Sequence, residues 1–157
     1  MQSDERIAKF YSDIDEWIKN NKIGYGSHFE SDEDVQMILN LKKNEISDLT
    51  SENCMIYSYM LQQYANHLSL ILGREKAAKQ WASDGIWYIV SDRMNNDRYA
   101  KWEEKYYGAI KQSDLAKTLM KLKSTCESRI SILTDTLSNV KSMSETLLQI
   151  GRNKRSY

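Results

Sequence analysis

Basic and aromatic residues occur together in the central part of the chain. The cations that could neutralise phosphate groups are Arg74, Lys76, Lys79, Arg93, Arg98, Lys101 and Lys105. The rings that could stack on bases are Trp81, Tyr99 and Trp102. Proteins bind single-stranded nucleic acid with this combination, and each stacked base contributes about 1–3 kcal/mol. One candidate chemistry is therefore an electrostatic and stacking surface for a nucleic-acid strand.

The same rings also fit the interior of a helical protein. Tyr99, Trp102, Tyr106 and Ile110 recur every three or four residues, a spacing that places them on one face of a helix. Acidic side chains offset much of the charge, since residues 74–117 contain nine Lys/Arg and seven Asp/Glu, a formal charge of +2. From composition and spacing alone, we favour an amphipathic helix with rings inside and charges outside. The nucleic-acid surface is the alternative.

Arrangements of residues that serve catalysis or metal binding are not evident in the sequence. His28 and His67 are the two histidines, and neither has a metal-ligand partner at helical spacing. Glu103 and Glu104 are adjacent, so on a helix they point about 100° apart and make a poor acid–base pair. Gly-rich phosphate loops and zinc-protease motifs are also missing. We expect no enzymatic activity and no cofactor, because an enzyme would need a site built from scattered single residues.

The elements that position these residues are expected to be helices. The 157-residue chain contains no proline, and proline is the residue that most strongly interrupts helices. The segment 3–23 has an apolar stripe at helical spacing and predicts a first helix that ends at Gly24. The segment 31–43 predicts a second, short helix. These two helices would form an N-terminal arm.

A long helix and a shorter aromatic helix are expected to follow the arm. Thr50 is a predicted N-cap for the long helix, which continues to about Ser91. The polar segment "SDRMNND" then interrupts the apolar pattern. Asp97 is the predicted N-cap of the aromatic helix.

The last helix is expected to be long as well. Ser113 offers a second cap, the helix is predicted to run from about Leu115 to Ile150, and Gly151 is predicted to end it. The predicted fold class is therefore all-α. It is an elongated helical bundle with two long antiparallel helices, a short aromatic helix between them and an N-terminal two-helix arm.

Charge is distributed unevenly, although the formal net charge is zero. Residues 1–53 carry six Lys/Arg and twelve Asp/Glu, a charge of −6, and residues 54–157 carry sixteen and ten, a charge of +6. We expect an acidic helical arm at 1–45 and a helical body at 46–157 that ends in a basic tail. The arm could cover a basic surface of the body.

Composition also bounds the compartment and the assembly state. Cys54 and Cys126 fall in apolar helical patterns, which predicts free core cysteines rather than a disulfide. No signal peptide is visible after Met1, and the apolar runs are far shorter than the about 20 residues of a membrane span. We expect a cytoplasmic protein that does not enter a membrane. Its apolar fraction of 41% suits a homo-oligomer.

Three segments in order resemble a known family. They are "MIYSYMLQQYANHL", "REKAAK" and "DRYAKWEEKYYGAIKQSDLAKTLMKL". A hydrophobic-Tyr-Ser helix start, a basic stretch, an aromatic "DRY" segment, a polar break and a long last helix are similar to the UvsY-type recombination mediators of tailed phages. The resemblance covers about residues 46–150.

The resemblance implies a non-enzymatic accessory protein of DNA recombination. Members of the family bind single-stranded DNA and help to load a RecA-like recombinase onto strands covered by single-strand-binding protein. Arg74, Lys76 and Lys79 would then be part of the DNA face. Two basic residues of the family fall here at Ser83 and Gly85, so other cations of the chain would have to replace them.

The resemblance also implies that the last helix is the seam of a homo-oligomer. The seam residues would be Leu119, Leu122, Ile130, Leu133, Leu137 and Val140. The alternative to a recombination mediator is a non-enzymatic structural or adaptor protein that acts through protein–protein contacts.

Overall fold

Helices account for the regular structure throughout the part of the chain that the computed structural model describes. This part comprises residues 2–21, 23, 33–94 and 96–156. The helices are α1 (Gln2–Asn20), α2 (Glu33–Leu39), α3 (Lys43–Asp48), α4 (Ser51–Val90), α5 (Trp102–Lys111) and α6 (Asp114–Arg155), with a 3-10 turn at Ser91–Arg93. The all-α class, the two long helices and the shorter aromatic helix between them are confirmed. His28 and Gly24 lie outside the described residues.

Two of the predicted helix caps are confirmed by hydrogen bonds. The Thr50 hydroxyl accepts a hydrogen bond from the backbone N–H of Asn53 at 3.1 Å, so it caps the start of α4. The Ser113 hydroxyl accepts one from the N–H of Ala116 at 3.2 Å, so it caps α6. Both bonds satisfy donors that the first turn of a helix leaves without a partner.

The predicted cap at Asp97 is wrong. The Asp97 carboxylate accepts a hydrogen bond from the N–H of Tyr99 at 2.9 Å, which closes a local turn of the kind that aspartate side chains often form. Helix α5 begins only at Trp102, with Lys101 as its N-cap residue. The short local bond at Asp97 therefore delays the start of the aromatic helix by one turn.

Gly151 does not end the last helix, contrary to the prediction. Helix α6 continues to Arg155, and Gly151 is buried where α6 meets the start of α4. A Cβ atom at Gly151 would lie 3.0 Å from the Cβ of Cys54 and 3.1 Å from the carbonyl oxygen of Ser51. Glycine is needed here because the two helices approach closely, not because the chain must turn.

A short helix that the sequence did not predict precedes α4. This helix, α3, is held by the C-terminal end of α6, because the Lys154 ammonium donates to the carbonyl oxygens of Ile46, Ser47 and Leu49. A cation at the C-terminal end of a helix satisfies carbonyl groups that have no partner within the helix. Part of the predicted basic tail is thus a structural clamp.

The helices form two compact units, and the first comprises Met1–Ile71 and Ile132–Tyr157. Two buried serines connect α4 and α6 within it. The Ser58 hydroxyl donates to the carbonyl of Ser144 at 2.8 Å, and the Ser144 hydroxyl donates to the carbonyl of Ser58 at 2.8 Å. The Ser51 hydroxyl donates to the carbonyl of Gly151 at 2.6 Å. These pairs show that α4 and α6 run antiparallel in this unit.

The second unit, Leu72–Ser131, contains the middle of the chain. Its buried core consists of Ala82, Ile86, Val90, Ala109, Ile110, Ala116 and Leu119. Ion pairs of Lys79 with Glu127 at 3.5 Å and of Arg129 with Glu75 at 3.6 Å join α4 to α6 in antiparallel order. Helix α5 contributes Ala109 and Ile110 to this core. The domain boundary at residue 45 stays a prediction.

Free cysteines were predicted and are found, since Cys54 and Cys126 are both buried and unpaired with each other. Burial raises the pKa of the Cys126 thiol, and a hydrogen bond with Glu75 raises it further.

None of the described helices is long and apolar enough to cross a membrane.

Candidate nucleic-acid interface

The basic surplus of the chain falls in the second unit. Leu72–Ser131 carries twelve Lys/Arg and eight Asp/Glu, a formal charge of +4, whereas the rest of the chain carries ten and fourteen, a charge of −4. The predicted nucleic-acid-binding residues all lie in this positively charged unit. Local charge rather than the net charge of zero is therefore the relevant electrostatic quantity.

The prediction that the aromatic face of α5 is core is wrong for two of its rings. Tyr99 is 97% exposed and Trp102 is 54% exposed, whereas Tyr106 is partly buried and Ile110 is buried. The cause is the late start of α5. Tyr99 lies in the turn that Asp97 closes, and Trp102 is the first residue of the helix, so neither ring has a preceding helical turn that would hold it against the core.

Three rings of α5 form a preorganised aromatic group. The Trp102 and Tyr106 rings are stacked, with centroids 4.9 Å apart and planes at 13°. The Tyr107 ring meets Tyr106 edge-on, with centroids 5.4 Å apart. Burial raises the pKa of the Tyr106 hydroxyl, and the neighbouring Tyr107 raises it further. The outer ring of the stack, Trp102, keeps a surface on which another planar group can stack.

Four of the predicted cations lie close to these rings in the chain. Arg98 and Lys101 are exposed on either side of Tyr99 in the sequence. Arg93 and Lys105 line the same open groove of about 290 Å³, together with the carboxylate of Glu104. Among the described residues, none of these four cations forms an ion pair. Their charges are therefore available to a phosphate group.

The four predicted residues on α4 are arranged differently. Arg74, Lys76 and Trp81 are exposed, but the Lys79 ammonium is occupied by its ion pair with Glu127. Arg74 and Trp81 are seven residues apart and lie on the same face of the helix. Lys76 follows Arg74 by two residues, so it points about 200° away from that face. Arg93 and Lys105 thus share one groove, whereas the other predicted residues of the turn and α5 are exposed near them in the chain. The predicted α4 residues lie on a different helix.

The departure from the family pattern at Ser83 and Gly85 has a structural correlate. Both positions are partly buried, and a Cβ at Gly85 would lie 3.0 Å from the Cδ1 of Leu119. A side chain at Gly85 would therefore require the Leu119 side chain to shift by a few tenths of an ångström.

The predicted seam residues on α6 are largely used inside the chain. Leu119, Leu133 and Val140 are buried, and the other three, Leu122, Ile130 and Leu137, are partly buried. Only the partly buried three keep surface for a partner. The seam on α6 stays a prediction.

One exposed ring on α4, that of Tyr88, was not assigned a role from the sequence. Tyr88 is 85% exposed and lies seven residues after Trp81, on the same helical face. The signal was present as a second run of three- and four-residue intervals in α4, beside the run that forms the core. The core run of α4, namely Leu61, Tyr64, Leu68 and Ile71, is the stronger signal because it is richer in leucine and isoleucine.

Other kinds of site receive no support from the described coordinates or from known proteins. Within residues 2–21, 23, 33–94 and 96–156, no three His, Cys, Asp or Glu side chains converge to hold a metal ion. No protein-family model, no curated protein and no solved structure matches this chain.

Proposed function

We propose that this protein binds single-stranded DNA through a surface of the second unit. This surface, here the α5 surface, consists of the rings Tyr99 and Trp102 and the cations Arg93, Arg98, Lys101 and Lys105. The observation that carries the proposal is that both rings are exposed, and that the four cations near them in the chain form no ion pair among the described residues.

Exposed tryptophan and tyrosine gain free energy when a base covers them, about 1–3 kcal/mol for each stacked base. Cations that are free of carboxylate partners can release the counterions of the strand without first breaking an ion pair. Stacking and counterion release do not depend on base sequence, so the surface suits a protein that must act on any strand.

The role that fits such binding is that of a recombination mediator. The resemblance to UvsY-type proteins supports a non-enzymatic accessory function in which the protein helps a RecA-like recombinase to displace single-strand-binding protein. Homo-oligomerisation would increase the effective affinity of a weak surface, because the second contact becomes intramolecular.

Fluorescence anisotropy of a labelled oligonucleotide tests the DNA-binding step. We expect binding at about 50 mM salt that weakens at least tenfold at about 200 mM, because phosphate contacts release counterions. Trp102→Ala should weaken binding at least several-fold. Trp87→Ala is the matched control, since Trp87 is similarly exposed in the same unit but lies on α4.

The rival function is a helical adaptor whose exposed rings bind another protein. Exposed aromatic side chains are also typical of protein–protein interfaces. The titration separates the two functions. Absence of binding to the oligonucleotide at low salt would leave the adaptor as the better explanation.

A further inference from the structure

Helix α4 carries a second row of side chains, on the face that is turned away from its core. The row recurs at intervals of four, three, four, three and four residues. It consists of Leu70, Arg74, Ala77, Trp81, Asp84 and Tyr88. All six side chains are exposed. This set is called the α4 row below.

The apolar members of the α4 row are unusually open to solvent. Leu70 is 73% exposed, Trp81 is 66% exposed and Tyr88 is 85% exposed. Helix α6 differs, because every exposed residue that it carries between 117 and 149 is polar or charged. Several exposed apolar side chains on one helical face are typical of interfaces rather than of solvated helix faces. Uncovered apolar surface of the long helices is therefore concentrated on α4.

The intervals between the residues of the α4 row have the same order from either end of the helix. If a second copy of α4 lies antiparallel, with the two-fold axis near residue 79, each row residue faces another row residue. Arg74 then faces Asp84 of the second copy, and Ala77 faces Trp81 of the second copy. Leu70 at one end faces Tyr88 at the other. By symmetry each pair occurs twice, as in any two-fold interface.

The three pairs are complementary in charge, size and polarity. Arg74 and Asp84 carry opposite charges, and among the described residues neither forms an ion pair. Ala77 leaves room for the large Trp81 ring. A parallel arrangement in register would instead place Arg74 against Arg74 and Asp84 against Asp84, and like charges in contact suppress such pairing. The charges therefore favour the antiparallel arrangement.

We propose that the α4 row is a self-association surface, through which two copies of this chain pair with their α4 helices antiparallel. The contact would extend over about 28 Å, since 19 helical residues rise 1.5 Å each. Large aromatic side chains bury about 150–250 Å² each, so the two rows together bury on the order of 1,000 Å², at the low end for a specific interface. The dimer should therefore be reversible.

The α4 row gives two residues a role other than DNA binding. Arg74 and Trp81 were predicted to bind nucleic acid, and here they bind a second copy. The α5 surface does not use either of them. The two proposals can therefore fail independently of each other.

Charge reversal tests the pairing by sedimentation equilibrium in the absence of DNA. The wild-type mass should rise with concentration from 18.4 kDa to twice that value. Arg74→Glu alone and Asp84→Arg alone should each stay monomeric, because like charges then meet twice. The double variant R74E/D84R should dimerise as the wild type does, because every pair regains opposite charges.

Matched controls lie on the same helix but outside the row. Lys76→Glu changes charge as Arg74→Glu does and should leave the dimer intact, and Trp87→Ala serves in the same way for Trp81→Ala. All these side chains are exposed, and circular dichroism checks that each variant is folded. A wild type that stays monomeric at high concentration, an R74E variant that still dimerises, or a double variant without recovery would each overturn the proposal.

Discussion

The salt dependence of DNA binding can be worked out from the α5 surface. Four cations, Arg93, Arg98, Lys101 and Lys105, are available to phosphates in the turn and α5. Each phosphate contact on a single strand contributes about −0.7 to the slope of log affinity against log salt, so four contacts give a slope of about −2.8. Affinity should then fall about 50-fold between about 50 and 200 mM salt.

Removing two of these cations changes the slope by a defined amount. The double variant Arg98→Ala/Lys101→Ala leaves two phosphate contacts, for which the expected slope is about −1.4 and the fall in affinity about sevenfold over the same salt range. Stacking on Trp102 does not release counterions, so Trp102→Ala should weaken binding at every salt concentration without changing the slope. Anisotropy titrations at five or more salt concentrations measure both quantities.

Two results would refute this reasoning. A slope near zero for the wild type would show that the four cations do not meet phosphates. An unchanged slope in the Arg98→Ala/Lys101→Ala variant would place the phosphate contacts elsewhere. Lys141→Glu is the control for a change in the net charge of the protein, because Lys141 is exposed on α6 in the first unit.

Three further predictions concern the fold and its ionisation. Gly151→Ala should lower the free energy of unfolding by about 1–3 kcal/mol, because the added methyl group overpacks the α4–α6 contact, and chemical denaturation measures this. Ser58→Ala and Ser144→Ala should each cost about 1 kcal/mol, and a double-mutant cycle should show that the two losses are not additive, because the hydroxyls bond to each other's backbones. The raised pKa of Tyr106 means that the native state holds its proton above the ordinary value of 10.0, so the unfolding free energy should fall as pH rises past that value. Tyr106→Phe should reduce this fall in denaturation curves measured between neutral and strongly alkaline pH.

The parts of the fold that depend on local sequence could be predicted. Thr50 and Ser113 cap α4 and α6 as expected, because a hydroxyl reaches the N–H groups of its own first turn whatever else surrounds it. The core run of α4, namely Leu61, Tyr64, Leu68 and Ile71, likewise follows three- and four-residue spacing, and all four residues are buried. Both signals lie within one helix, so no knowledge of the packing partner is required.

The misinterpreted residues depend on contacts that are distant in the chain. Gly151 has the sequence signature of a helix end, yet it is required by Ser51 and Cys54, one hundred residues earlier. Spacing alone placed Tyr99 in the core, but the Asp97 turn removes it from the helical register. In both cases the type of the residue could be interpreted from the sequence. The contact that determines its role could not be predicted from the sequence.

The α4 row and the α5 surface together explain how a weak surface could hold DNA. One α5 surface offers two rings and four cations, which suits modest affinity. A dimer formed through the α4 row would carry two such surfaces, and a strand long enough to reach both would gain from effective concentration without any new contact. Arg74→Glu should therefore bind a short oligonucleotide as the wild type does and lose affinity only for a longer strand. Equal losses on both lengths would instead mean that Arg74 contacts DNA directly, as the sequence first suggested.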